Sequence, residues 1–143
     1  KDILSYLYDK GLGSGEREGV GEVLYNVAII NAALVVESIR TAQSKYGDKP
    51  LTGEEVRWGI ENLDITEETI EKLGLTGYMY PLSLSCSDHE GKRAARLHRW
   101  NGESWEYSTD WITADDSVIQ PMVRSASDTY AKEAGIPTNA CDS

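Results

Sequence analysis

The sequence predicts an α/β chain in which helices come first, an antiparallel hairpin follows and one further helix closes. Three observations predict this order. Apolar residues recur with a helical period over 20–46, the period falls to two from Tyr78, and Asn101-Gly102 separates two alternating runs that carry tryptophans. A chain of 143 residues is long enough for one domain with a modest core, so 1–143 is expected to be a single unit.

The first element expected is a short helix over 2–10, with Ile3, Leu4, Leu7 and Tyr8 on one stripe and Gly11 at its end. Gly11, Gly13 and Gly15 then make a flexible connection. No strand precedes them and no Lys-Ser/Thr pair follows, so they lack the context of a phosphate cradle.

The helix over 20–46 carries the strongest signal. Its middle is apolar nearly all round, which is the pattern of a helix covered on both sides. No other segment is large enough to cover it, which predicts a missing partner lobe. The apolar part, Val23 to Val36, is too short to span a bilayer and carries Asn26 and Asn31.

Thr52 followed by Glu55 forms a capping box and opens a helix over 53–63; Thr66 caps another over 66–73. Strands are expected over 78–85, 95–100 and 103–111. With a two-residue Asn101-Gly102 turn, Trp100 faces Glu103 and His98 faces Trp105. Arg96, His98, Trp100, Trp105 and Tyr107 then share one face, which reads as the packed face of the hairpin. An amphipathic helix over 116–135 and a tail over 136–143 complete the chain.

The formal charge of −10 and the lack of a Lys/Arg cluster argue against a nucleic-acid partner and against anionic membrane surfaces. No zinc-type spacing or cofactor motif is present, so no metal or cofactor is expected. Asp88-His89-Glu90 is the most reactive-looking cluster, but adjacent side chains point apart and no nucleophile pairs with it by sequence. A small hydrolase using Cys86 as thiol or His89 as base is the alternative from the enzyme class. Cys86 and Cys141 are either a thiol nucleophile and a spare or a disulfide; the disulfide is the preferred reading, and it implies an oxidising compartment. Tyr25 and Asn26 stand near the N-terminus of the apolar helix and are the candidate ligand contacts, since a helix N-terminus favours a carboxylate.

The order of motifs suggests a family. Val-Leu-Tyr-Asn opens the long helix and Leu-Thr-Gly-Glu-Glu-Val-Arg the next. Then come Leu-Thr-Gly-Tyr, Ser-Asp-His-Glu-Gly, Arg-Leu-His-Arg-Trp-Asn-Gly-Glu-Ser-Trp and Ser-Thr-Asp-Trp-Ile. Over roughly Tyr6 to Ile136 this series resembles the C-terminal part of the periplasmic solute-binding proteins of branched-chain amino acid type ABC importers. The resemblance implies the C-terminal fragment of a two-lobe type I periplasmic binding protein, located in the periplasm and not an enzyme. Such a protein captures an amino acid or related carboxylate or amide between its lobes and delivers it to a membrane permease. The Cys86–Cys141 pair fits a branch in which a disulfide pins the tail. A ligand-sensing regulator or receptor domain of the same fold is the alternative within that architecture. The resemblance further implies that the N-terminal part of the receptor, which holds most of the binding site, is the chain's missing partner. The apolar helix Val23 to Val36 also makes self-association of the isolated piece an expectation.

Overall fold

The computed structural model describes residues 2–137 and Cys141. The chain divides into two compact units, Lys1–Pro81 and Leu82–Ser143, where a single unit was expected.

In the first unit, α1 spans Asp2–Tyr6 and gives way to a 3₁₀ turn over Tyr8–Lys10, so the helix expected over 2–10 is split. Gly11 ends it in the left-handed region at φ 69°, where its N–H donates to the Tyr8 carbonyl. The glycine loop then folds back on Tyr8, whose hydroxyl donates to the Ser14 carbonyl at 2.8 Å. Helix α2 runs Val23–Tyr46, starting later than expected because Gly21 stands at φ 99°, outside the helical region, after a 3₁₀ turn over Arg17–Gly19. Helix α3 spans Gly53–Glu61. Its capping box is complete: Thr52 Oγ1 accepts from Glu55 N at 3.3 Å and Glu55 Oε2 from Thr52 N at 2.8 Å. A short strand β1, Asp64–Ile65, leads to α4, Glu67–Lys72, capped by Thr66.

The interior of this unit lies where α2 meets α3 and the turns after them. Ala42, Leu63, Ile65, Ile70 and Leu75 are buried, as is Ser38. Ser38 spends its hydroxyl on the Leu34 carbonyl at 2.7 Å, so its burial leaves no donor unpaired. Gly59 is the contact residue of α3. A Cβ built there would lie 2.2 Å from the Ser38 carbonyl oxygen and 2.9 Å from Ala42 Cβ. Beside this crossing, Tyr46 and Trp58 meet edge to face at 5.7 Å, and Lys45 Nζ stands 4.0 Å above the Trp58 ring.

The two ends of α2 differ. Its C-terminal half holds the α3 contact, while Val23 and Leu24 are 77% and 82% exposed and Val27, Val35 and Val36 are also exposed. By length and composition α2 could cross a membrane. Its most apolar part, Val23 to Val36, rises only about 21 Å at 1.5 Å per residue, against a hydrocarbon core of about 30 Å.

In the second unit, the strands are shorter than expected. They are β2 (Leu82–Ser83), β3 (Ala94–Ala95), β4 (His98–Trp100), β5 (Trp105–Tyr107) and β6 (Ile112–Thr113). β4 pairs antiparallel with β5, and β3 with β6. Between the pairs His98↔Tyr107 and Ala95↔Ile112 the first strand supplies residues 96–97 and the second 108–111, so the second strand bulges. Thr109 Oγ1 repairs the broken ladder by accepting from Leu97 N at 3.1 Å.

The hairpin register corrects the expectation. Trp100 pairs with Trp105 and His98 with Tyr107, because the loop has four residues, Asn101–Ser104. The Asn101 side chain is the cause. Its Oδ1 accepts from both Glu103 N and Ser104 N at 2.8 Å, closing a turn on itself where a two-residue turn would leave those groups in the ladder. Helix α5, Asp116–Ala134, is capped by Asp115 and ended by Gly135 at φ 63°; Pro121 falls within it. Of the tail expected over 136–143, residues 138–140 and 142–143 lie outside the described residues.

Two outcomes test this packing. Gly59→Ala should lower the unfolding free energy by about 1–3 kcal/mol through overpacking against α2, whereas Gly53→Ala, which meets no atom within 4 Å, should stay within about 0.5 kcal/mol; denaturant melts compare them. Thr52→Ala should cost about 1 kcal/mol by the same measurement. Lys49, then the Thr52 backbone, hold the Glu55 carboxyl below its ordinary value of 4.5. A depressed folded pKa means that this contribution is present above 4.5 and is lost as the pH falls through the lowered value. A Glu55→Gln variant should therefore show a flatter loss of stability in acid than the parent chain.

Candidate functional site

The sequence-predicted ligand contacts come apart in the structure. Asn26 lines a cavity of about 270 Å³ with Ile3, Ile29, Leu75 and Tyr78; Tyr25, one position away, does not line it. Their separation follows from the helical step of 100° per residue. Asn26 Nδ2 donates to the Gly21 carbonyl at 2.8 Å, so the amide is partly spent on fixing the start of α2. Its backbone N–H donates to the Glu22 carbonyl. Asp2 supplies the one carboxylate in the lining, and the walls are otherwise mostly apolar.

A second cavity, of about 300 Å³, lies in the second unit between the 86–93 loop and α5. The Asp88-His89-Glu90 cluster sits here, and its geometry is that of a turn. Asp88 and Ser85 exchange backbone hydrogen bonds at 3.0 and 3.1 Å, and Asp88 Oδ1 accepts from Glu90 N and Gly91 N. The carboxylate is thus committed to its own backbone. Glu90 pairs with Arg93. Gly91 is enclosed: a Cβ there would lie 2.4 Å from Leu82 Cδ1 and 3.0 Å from the Ser83 carbonyl oxygen, and φ is +65°.

Cys86 and Cys141 are joined in a disulfide, their Cα atoms 5.6 Å apart. While the bond stands neither sulfur is a nucleophile, which removes Cys86 from the hydrolase alternative. Among the described residues no group of three or more His, Cys, Asp or Glu side chains converges on a metal position.

The hairpin face assembles as a ladder of rings. His98 and Tyr107 meet edge to face at 4.4 Å, and Trp100 and Trp105 lie 5.7 Å apart at 58°. The Arg96 guanidinium stacks 3.6 Å from the Tyr107 ring centre and 4.3 Å from that of Trp111, which the alternation alone did not place on this face. The expected packed face is instead open: Trp100 is 51% and Trp105 66% exposed.

No protein-family model matches the chain, and no curated protein matches it. One solved structure does, a crystal structure described as that of an ABC transporter permease from the Pseudomonas fluorescens group. The likeness has a TM-score of 0.88 at 40% sequence identity and covers 98% of this chain. The chain spans about a third of that protein's length, 34%.

This finding corrects the family reading. The neighbour is described as a permease, the membrane component of such transporters, and not as a periplasmic solute-binding protein. The assignment to the solute-binding proteins is withdrawn, and with it the expected function of capturing a solute between two lobes for delivery. Those expectations rested on short turn and cap motifs, each unspecific alone, and a likeness spanning nearly the whole chain outweighs them. The ABC-transporter setting is common to both readings.

The disulfide carries the prediction of this section. Cys141→Ser, or reduction of the bond, should lower the stability of the second unit by up to about 4 kcal/mol, the chain-entropy value for a loop of this length. Melting under oxidising and reducing conditions measures it; a variant melting with the parent under oxidising conditions would contradict it.

Proposed function

We propose that this chain is a segment of the permease component of an ABC transporter, and that it acts by assembly with other transporter parts and not by catalysis of its own. The observation that carries the reading is the likeness to the solved permease at 40% identity over 98% of the chain. Two features of the molecule support it. The N-terminal half of α2 presents an apolar stripe to the outside, as a helix does when further protein covers it. The Cys86–Cys141 disulfide suits a segment on the oxidising side of the membrane.

Within this reading α2 lies against protein and does not span the bilayer alone. Its apolar part is too short, and its other half is committed to α3 by the Gly59 contact and to solvent by the Glu37–Arg40 ion pair. The transported solute belongs to the whole transporter, and no residue of this chain is assigned to it.

Cell fractionation tests the proposal. The full protein should stay with membranes through an alkaline carbonate wash, which strips loosely attached proteins. Its release in the soluble fluid from osmotic shock would overturn the reading.

A further inference from the structure

The exposed end of the β4–β5 hairpin holds an amide and a nucleophile next to each other, and both are set for reaction. The Asn101 side-chain carbonyl is polarised, because Oδ1 accepts from Glu103 N and from Ser104 N, each at 2.8 Å. The N–H of the following residue, Gly102, has no hydrogen-bond partner among the described residues. No side chain shields that nitrogen, and the space around the Gly102 Cα is open to 4 Å. The other asparagines of the described residues differ. The N–H groups that follow Asn26 and Asn31 belong to the α2 ladder, and the Leu63 N–H after Asn62 donates to the Ile60 carbonyl.

We propose that Asn101 is a site of covalent self-modification in the native protein, passing through a cyclic imide with Gly102 to aspartate and isoaspartate. The Gly102 nitrogen, on losing its proton, attacks Asn101 Cγ. The new N–Cγ bond pushes the carbonyl electron pair onto Oδ1, where the Glu103 and Ser104 N–H groups hold the negative charge as an oxyanion hole does. The pair then returns, the Cγ–Nδ2 bond breaks, and Nδ2 takes up one proton and leaves as ammonia. Water opens the imide. Addition at Cγ restores the main chain and yields aspartate; addition at the Asn101 main-chain carbonyl leaves Gly102 attached through Cγ and yields isoaspartate. No oxidation occurs and water is the only co-reactant.

The products change the turn that sets the hairpin. Asn101 Nδ2 donates to Ser104 Oγ and to Glu106 Oε1, and both bonds end when ammonia leaves. The new carboxylate stands beside Glu103 and Glu106, so like charges gather where an amide bridged them. Isoaspartate also adds a methylene to the main chain of the loop that places Trp100 opposite Trp105. The modification thus adds negative charge at the hairpin tip and loosens the end of its aromatic face. This inference does not depend on which transporter component the chain belongs to.

Ageing of the full protein at mildly alkaline pH, followed by isoaspartyl methyltransferase labelling and peptide mapping, tests it. Isoaspartate should accumulate at Asn101 at least about tenfold faster than at Asn26, Asn31 or Asn62, since only there is the attacking nitrogen unengaged. The near-ultraviolet circular dichroism of the Trp100–Trp105 pair should fall in step with the label. The same ageing in urea gives the rate of the unfolded chain. A native rate at Asn101 more than about tenfold below that of the unfolded chain would mean that the turn shields the amide, and would overturn the proposal. Labelling spread evenly over the asparagines would overturn it too, and so would full labelling at Asn101 with an unchanged dichroism signal.

Discussion

The first unit depends on the close approach of two helices at Gly59. Because the residue lacks a Cβ, the backbone of α3 comes to rest against the Ser38 carbonyl and the Ala42 methyl of α2. Ala42 and Ser38 form its α2 side, and the other buried residues, Leu63, Ile65, Ile70 and Leu75, belong to the β1–α4 stretch that follows α3. The capping box at Thr52 sets the start of α3, which in turn decides which residue reaches the crossing. Cap and glycine act together: one fixes the helix in sequence, the other lets it approach in space.

The same contact explains why α2 has two characters. A helix of 24 residues is about 36 Å long, and α3 with nine residues is about 14 Å. The shorter helix cannot cover the longer one, so the N-terminal part of α2 keeps its valines and leucine outside. The second unit has less interior still. Among its described residues only Gly91 is buried, and β3 with β6 and β4 with β5 form separate two-stranded pairs. Isolated two-stranded pairs are marginal in water. Local devices therefore carry much of its order: the Asn101 turn, the Thr109 repair of the ladder, the Asp115 cap and the Cys86–Cys141 bond.

Features written in short stretches of sequence were legible. The Thr52 and Thr66 caps, the glycine stop at Gly11, and the long helix ending before Gly47 follow from local chemistry, because each is settled within a few residues. Features that need a competing partner were not. Asn101-Gly102 reads as a two-residue turn until the Asn101 side chain competes with the ladder for two backbone donors. The alternation 105–111 reads as one strand until a bulge divides it. The same limit holds for the cavities. Residues 86–93 and 120–128 have no periodic or motif relation, so nothing in the sequence brings them to one cavity before the chain folds.

The mistaken family reading has a related physical origin. Of the motifs that suggested it, Leu-Thr-Gly-Glu-Glu starts a helix, Ser-Asp-His-Glu-Gly closes a turn and Trp-Asn-Gly-Glu-Ser reverses a strand. Each does a backbone task that any chain with this order of elements must perform. Residues fixed by backbone duty report the fold and are silent about cargo or assembly. Exposed surfaces such as the α2 stripe are free of that duty, because backbone geometry constrains their residues least.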